Sequence, residues 1–154
     1  LALRERGFTG NIYQTHGAVT KDFIRIAGKS AEGVILPSGP PVVAELLPDS
    51  PQKKVGLELW KLYEGKHGAG TRTQFAGHAW DVLQVLNRVV PIALKKAKPG
   101  SQDFRNALLA ALESEKEIAA SHGVYNFTPS DHFGLDERGR VLLTVKNGDW
   151  ALVK

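Results

Sequence analysis

Cysteine is absent from this 154-residue chain, and so is methionine. Without a thiol there is no thiolate nucleophile, no disulfide and no cysteine-type zinc site, and the composition is compatible with an envelope compartment. A reading frame begins with methionine, whereas this chain opens on the apolar, helix-like Leu1-Ala2-Leu3-Arg4-Glu5-Arg6 with no signal peptide ahead of it. The chain is therefore expected to be part of something longer. Long apolar runs are missing as well, since none reaches the roughly 18 residues that span a bilayer. The richest stretch, Val82 to Leu94, is broken by Gln84, Asn87, Arg88 and Pro91. Charge of one sign is also scarce, with 20 basic against 16 acidic residues for a formal +4. The only dense basic cluster is Lys95, Lys96 and Lys98, at the end of an expected helix, where cations complement the helix dipole. No basic stripe interleaved with aromatics is present, so nucleic acid is not an expected partner.

What remains is 42% hydrophobic and 23% charged, the balance of a folded globular chain rather than a disordered one. A helix end is expected at Gly7, then a short strand over Asn11–Thr15. Thr20 caps a short helix that stops at Gly28, and Glu32–Leu36 reads as a buried strand. Pro37-Ser38-Gly39-Pro40-Pro41 is expected to interrupt all regular structure and to mark a boundary. Beyond it, Ser50 followed by Pro51 starts a helix whose apolar face is Val55, Leu59 and Leu62. A long helix begins near Thr73 with the stripe Phe75, Ala79, Val82, Leu86, Val90 and Ala93, and Pro91 should kink it or end its regular part. Ser101 caps a third helix with a face of Phe104, Leu108, Ala111 and Leu112. The tail changes period: strands are expected at 123–127, 141–145 and 150–153, with a tight turn at Asn147-Gly148. The class is α/β. Two strands ahead of three amphipathic helices make a poor sheet, so the missing partners are expected from an absent N-terminal part, and the chain is not expected to fold alone.

The run His16-Gly17, Phe23, Ile26-Ala27-Gly28 and Ala31-Glu32-Gly33-Val34 resembles the second lobe of periplasmic solute-binding proteins of the branched-chain amino-acid ABC transporter class. That family carries an acidic residue followed by glycine, and then an "AG…AEG" run. Phe75-Ala76-Gly77-His78-Ala79-Trp80-Asp81-Val82 is similar to the family's aromatic-containing helix start, with Trp80-Asp81-Val82 standing at its "YDA". Gly134 to Arg140 together with Lys146-Asn147-Gly148-Asp149-Trp150 is similar to its C-terminal hairpin. The resemblance covers essentially the whole chain. It implies a type I two-lobed fold, with three-layer α/β/α lobes joined by hinge strands and a ligand cleft between them. By that template residues 1–38 belong to lobe two, 39–141 to lobe one and 142–154 return to lobe two. Pro37–Pro41 would then be a hinge strand.

Five residues are candidates for ligand contact. His16 stands where amino-acid-binding members carry an acid that pairs with the ligand ammonium. An imidazole donates hydrogen bonds and can be cationic, so the exchange points to a carboxylate or aromatic acid rather than a branched-chain amino acid. The alternative is a turn histidine. Gly17 lets backbone approach a ligand, and Thr15 could bond a ligand oxygen or simply suit a strand. Phe75 matches a family position whose ring packs on ligand, or else it begins the apolar stripe. Gly77 would admit a ligand or a loop, or serve the helix start.

Other groupings carry less. His78 and Asp81, one turn apart, read as a metal pair, a base with its orienter, or a surface hydrogen bond. Asp131-His132 has no serine elbow or cysteine to serve. The three tryptophans read as packing anchors. The expected function is capture of a small organic ligand in the periplasm for the membrane permease of an ABC transporter, with no cofactor and no catalysis. A ligand-sensing receptor domain of the same fold and, more remotely, a hydrolase using the histidines are the alternatives.

Overall fold

The computed structural model describes residues 2–153. Leu1 and Lys154, the expected first and last residues of the lobe-two segments, lie outside the described residues. Ten regular elements follow in order: α1 (Ala2–Glu5), α2 (Lys21–Ala27), β1 (Ile35–Ser38), α3 (Pro51–His67), α4 (Gln74–Leu94), α5 (Gln102–Ser114), β2 (Ile118–Ala119), β3 (Val124–Tyr125), β4 (Val141–Lys146) and β5 (Asp149–Leu152). The helix starts are local chemistry. The hydroxyls of Thr20, Ser50, Thr73 and Ser101 accept from the backbone N–H groups of Phe23, Lys53, Ala76 and Phe104. Pro51 occupies the first turn of α3, where a missing N–H costs nothing.

The sheet corrects the two-strand expectation. β1 pairs antiparallel with β4, and β4 with β5, so the tail of the chain itself supplies the partners. Asn147 and Gly148 both take positive φ, 54° and 74°, which suits the two-residue hairpin turn between β4 and β5. Glu32 closes that turn from outside, accepting from the N–H groups of Asn147 and Gly148. The expected strand at 11–15 is reduced to one parallel bridge between Tyr13 and Ile35. The buried strand expected at 32–36 starts three residues later, at Ile35, and ends at Ser38. Pro37 and Ser38 are inside β1 rather than in a break, and Pro40–Leu46 forms a 3-10 segment with proline at its start. Proline is tolerated because β1 is at the sheet edge, where the lost N–H has no ladder partner to miss.

Among the described residues, apolar side chains gather in three clusters. The first joins α2, β1, β4 and β5 through Ile24, Val34, Leu36, Leu143, Val145 and Trp150. The second sets Ala44 against Leu59 and Trp60 of α3. The third joins α4, α5 and β2 through Val89, Ala111 and Ile118. The expected face of α3 is rotated: Gln52, Gly56, Leu59 and Trp60 are buried and Leu62 is exposed. Trp60 sets this rotation by donating from Nε1 to the Pro41 carbonyl at 2.6 Å, while Gly56 lies against Ala44. The stripe expected on α4 is also mostly turned outward, with Ala93 its one buried member. The buried face of α4 is Gln74, Gly77, Asp81, Val89 and Ala93, while Phe75 and Val82 are 52% and 58% exposed. α4 is apolar on more than one side, and helical period alone does not say which side meets the rest of the chain. Pro91 does not end α4, which runs on to Leu94.

Candidate functional site

The first turns of α4 gather the chemistry. Gln74 is 1% exposed, and its Nε2 donates to the His16 carbonyl at 2.6 Å. Its Oε1 lies 3.5 Å from the Gly39 N–H, at the end of β1. This amide brings the loop 15–17 beside α4, and His16 and Phe75 stand next to its two ends. Thr15, His16 and Gly17 are exposed, His16 and Gly17 within a single 3-10 turn, as is Phe75 on α4. The ring of Phe75 lies 6.4 Å from that of His78. Four of the five candidate residues are thus open on one side of the molecule. Gly77 differs: it is buried, and what approaches it is the chain's own His122. A Cβ on Gly77 would lie 2.6 Å from His122 Cε1.

His122 belongs to a buried polar knot that the residue pattern did not disclose. Asp81, 2% exposed, accepts from Ser121 N–H at 2.7 Å and Ser121 Oγ at 2.6 Å through one carboxylate oxygen. Its other oxygen accepts from His122 N–H at 2.9 Å and Tyr125 OH at 3.3 Å, and lies 3.1 Å from His122 Nδ1. A carboxylate can only accept, so Nδ1 carries the proton. Burial alone pushes the Asp81 carboxyl up, but the bonds from His122 and Ser121 outweigh it and hold the group below its ordinary range. Burial and the Asp81 charge push the Tyr125 hydroxyl well up. His78 stacks on His122 at 3.9 Å between centroids, and burial, followed by the neighbouring imidazole, depresses its pKa.

This arrangement corrects the pairing of His78 with Asp81: the aspartate turns inward to Ser121 and His122 and leaves its helical neighbour stacked outside. Nor is it a nucleophile with its base. Ser121 Oγ is spent on Asp81, while His122 Nε2 is buried without a partner and faces Gly39, where a Cβ would lie 2.6 Å away. Asp131 caps the turn at Phe133 and Gly134, and exposed His132 pairs with half-buried Glu113, so these two do not form a dyad either. Among the described residues, no three His, Asp or Glu side chains are grouped to hold a metal ion. Among the described residues, no helix is long and apolar enough to cross a membrane. The spacing Gln74, Gly77, Asp81 was the available signal for the knot, being small or polar residues repeating at three and four along an otherwise apolar helix.

Elsewhere, a cavity of about 450 Å³ lies between the Lys21–Asp149 pair and the Arg72–Glu45–Glu64 group. Bonding to Arg72 lowers the Glu64 pKa; burial works against the Arg72 charge, and Glu64 and Glu45 outweigh it.

No family model matches the chain, and no curated protein matches it. Solved structures do. An extracellular ligand-binding receptor from Rhodopseudomonas palustris HaA2 is 61% identical over 99% of this chain, with a TM-score of 0.93. One from Rhodospirillum rubrum, named for a branched-chain amino acid ABC transporter, is 26% identical over 99% of the chain at a TM-score of 0.71. A periplasmic binding protein type 1 from Bordetella pertussis Tohama I, 18% identical over 98% of the chain at a TM-score of 0.70, shares the fold. The chain spans 43%, 39% and 41% of the lengths of these three proteins.

Proposed function

Because the chain belongs to the extracellular ligand-binding receptors of the ABC-transporter class, with part of their type I periplasmic-binding-protein fold, we propose that the protein containing it captures a small carboxylate or aromatic acid in the periplasm. It hands that ligand to a membrane permease. The family is one of solute-binding receptors and not of enzymes, so recognition alone has to be explained.

The observation that carries the ligand class is His16. It sits in an exposed turn beside Gly17, is fixed through its carbonyl, and keeps its imidazole free to donate. Thr15 adds a hydroxyl, and the exposed ring of Phe75 adds an apolar face that suits an aromatic or branched body. A histidine offers an ammonium group at most one neutral lone pair and no counter-charge, but it is a good donor to a carboxylate or phenol.

The lobe division keeps the boundaries 1–38, 39–141 and 142–154. Two observations support it. Ser38 and Val141, at the two boundaries, face each other as the last register pair of β1 and β4. The apolar cluster of α2 and the sheet takes in Val42, Val43 and Val141 at the two ends of the 39–141 segment, but no side chain of α3, α4 or α5. The open apolar face of α4 is then the surface that the remaining length of the protein covers.

Titration calorimetry on the full-length protein tests the ligand class with benzoate, 4-hydroxybenzoate and L-leucine. One of the two acids should bind more tightly than L-leucine. His16→Ala should weaken that acid about tenfold to a hundredfold, as expected for a hydrogen bond to a charged group. His16→Glu should weaken it further by setting like charges together. Tight L-leucine binding, or an acid affinity untouched by His16→Ala, overturns the proposal.

A further inference from the structure

We infer that Gln74 is a positioning residue that clasps the ligand-binding turn of one lobe to the helix of the other. The inference rests on the two-lobe reading above. The residue-level observations are independent of it. Gln74 is a primary amide buried to 1% exposure in the first turn of α4. Its Nε2 reaches the main chain of the 16–18 turn at 2.6 Å, and its Oε1 points to the Gly39 N–H at the longer 3.5 Å. One side chain therefore touches the turn that carries His16, the end of β1 and the helix that carries Phe75. A bond from a side chain to a carbonyl fixes the turn whatever residue follows, so it sets the position of the His16 imidazole without specifying it.

Opening of the lobes would part Gln74 from the His16 carbonyl and give both groups to water. The bond is then made only in the closed arrangement, and its free energy biases the equilibrium toward that arrangement. A net hydrogen bond of this kind corresponds to about a twofold to tenfold change in a two-state ratio.

The test uses the full-length protein with spin labels at the exposed positions Lys29 and Lys66, read by pulsed electron resonance in wild type, Gln74→Ala and Gln74→Glu. Melting followed by circular dichroism checks that the variants fold. Gln74→Ala should lose population at the label separation of this structure in favour of longer distances. Gln74→Glu should do the same at pH 7, where the carboxylate cannot donate, and should recover the shorter distance as acid below about pH 5 restores a donor. A loss that acid does not reverse marks a merely structural role and overturns the inference. Distributions unchanged in both variants overturn it while leaving the two-lobe reading intact. A wild type lacking the short population also overturns it, because the clasp is then not made in solution. A single narrow distance in all three proteins overturns both readings, since nothing opens.

Discussion

His16 and His122 both lie against the first turns of α4, and they are held in contrary ways. His122 is clamped: its Nδ1 and backbone N–H serve Asp81, His78 stacks on one face, and Gly39 and Gly77 are stripped of side chain to admit the ring. His16 is anchored through its carbonyl alone, and its imidazole remains exposed. One histidine is spent on joining α4, the end of β1 and the 120–123 segment, and the other is available to something outside the chain. Histidine count and spacing do not separate these roles; burial does. A buried imidazole must be paid for by partners already in the fold, whereas an exposed one is free to meet a ligand.

The comparison breaks hardest at Asp81. Asp81→Ala leaves the Ser121 and His122 donors buried without an acceptor, and should cost about 3–5 kcal/mol, read as a fall in the urea midpoint of the full-length protein. A variant within 1 kcal/mol of wild type, roughly the loss of one ordinary hydrogen bond, would show that the knot is not structural.

Gly39→Ala should cost about 1–3 kcal/mol, because its Cβ would come within 2.2 Å of His122 Cδ2 and either the ring or β1 must move. Combining it with His122→Ala sharpens the point: in a double-mutant cycle the glycine should lose most of its effect once the ring is gone.

Acid discharges the same knot more gently. The Asp81 carboxyl is held below its ordinary value, near 3.8, so the unfolded chain takes up the proton first. Its contribution is complete above the ordinary carboxylate range and fades as pH falls through the lower, folded-state value. Thermal melts between pH 6 and pH 2 should therefore show an acid limb that is much reduced in Asp81→Asn. Equal limbs in the two proteins would assign the acid sensitivity elsewhere.

The smallest effect belongs to the other histidine. His16→Ala should alter stability by less than about 0.5 kcal/mol, because the bond from Gln74 goes to the main chain and survives the substitution. A loss above 1 kcal/mol would place the His16 ring in the fold and not in the site.

The parts of this architecture that were legible in the sequence are those decided within a few residues. Thr20, Ser50 and Ser101 announce their helices because a hydroxyl bonds an N–H three positions on, and Asn147-Gly148 announces the hairpin because both residues accept positive φ. Fold class and family could be read from the order of short patterns, since His16-Gly17, the Ala31-Glu32-Gly33 run and the closing hairpin keep their succession. The orientation of α4 was not legible. Phe75 and Val82 have the period of a core stripe, yet the chain packs against Gln74, Gly77 and Asp81, and only contacts distant in sequence choose between the faces. His122 was missed for the same reason, because its partner Asp81 is 41 residues away. The break expected at 37–41 misjudged proline at a sheet edge, where the missing N–H is harmless.

The pairing of β1 with β4 bears on the order in which the chain can acquire its structure during synthesis. At about 5–20 residues per second, Val141 follows Ser38 from the ribosome by roughly 5–20 seconds, since about a hundred residues separate the paired strands. Until then Val34 and Leu36 lack β4 as a partner, while α3, α4 and α5 can already form from local signals. Nascent chains arrested between residues 38 and 141 should therefore leave the β4-facing side of β1 unpaired, and it is the closing hairpin, pinned by Glu32, that covers that side.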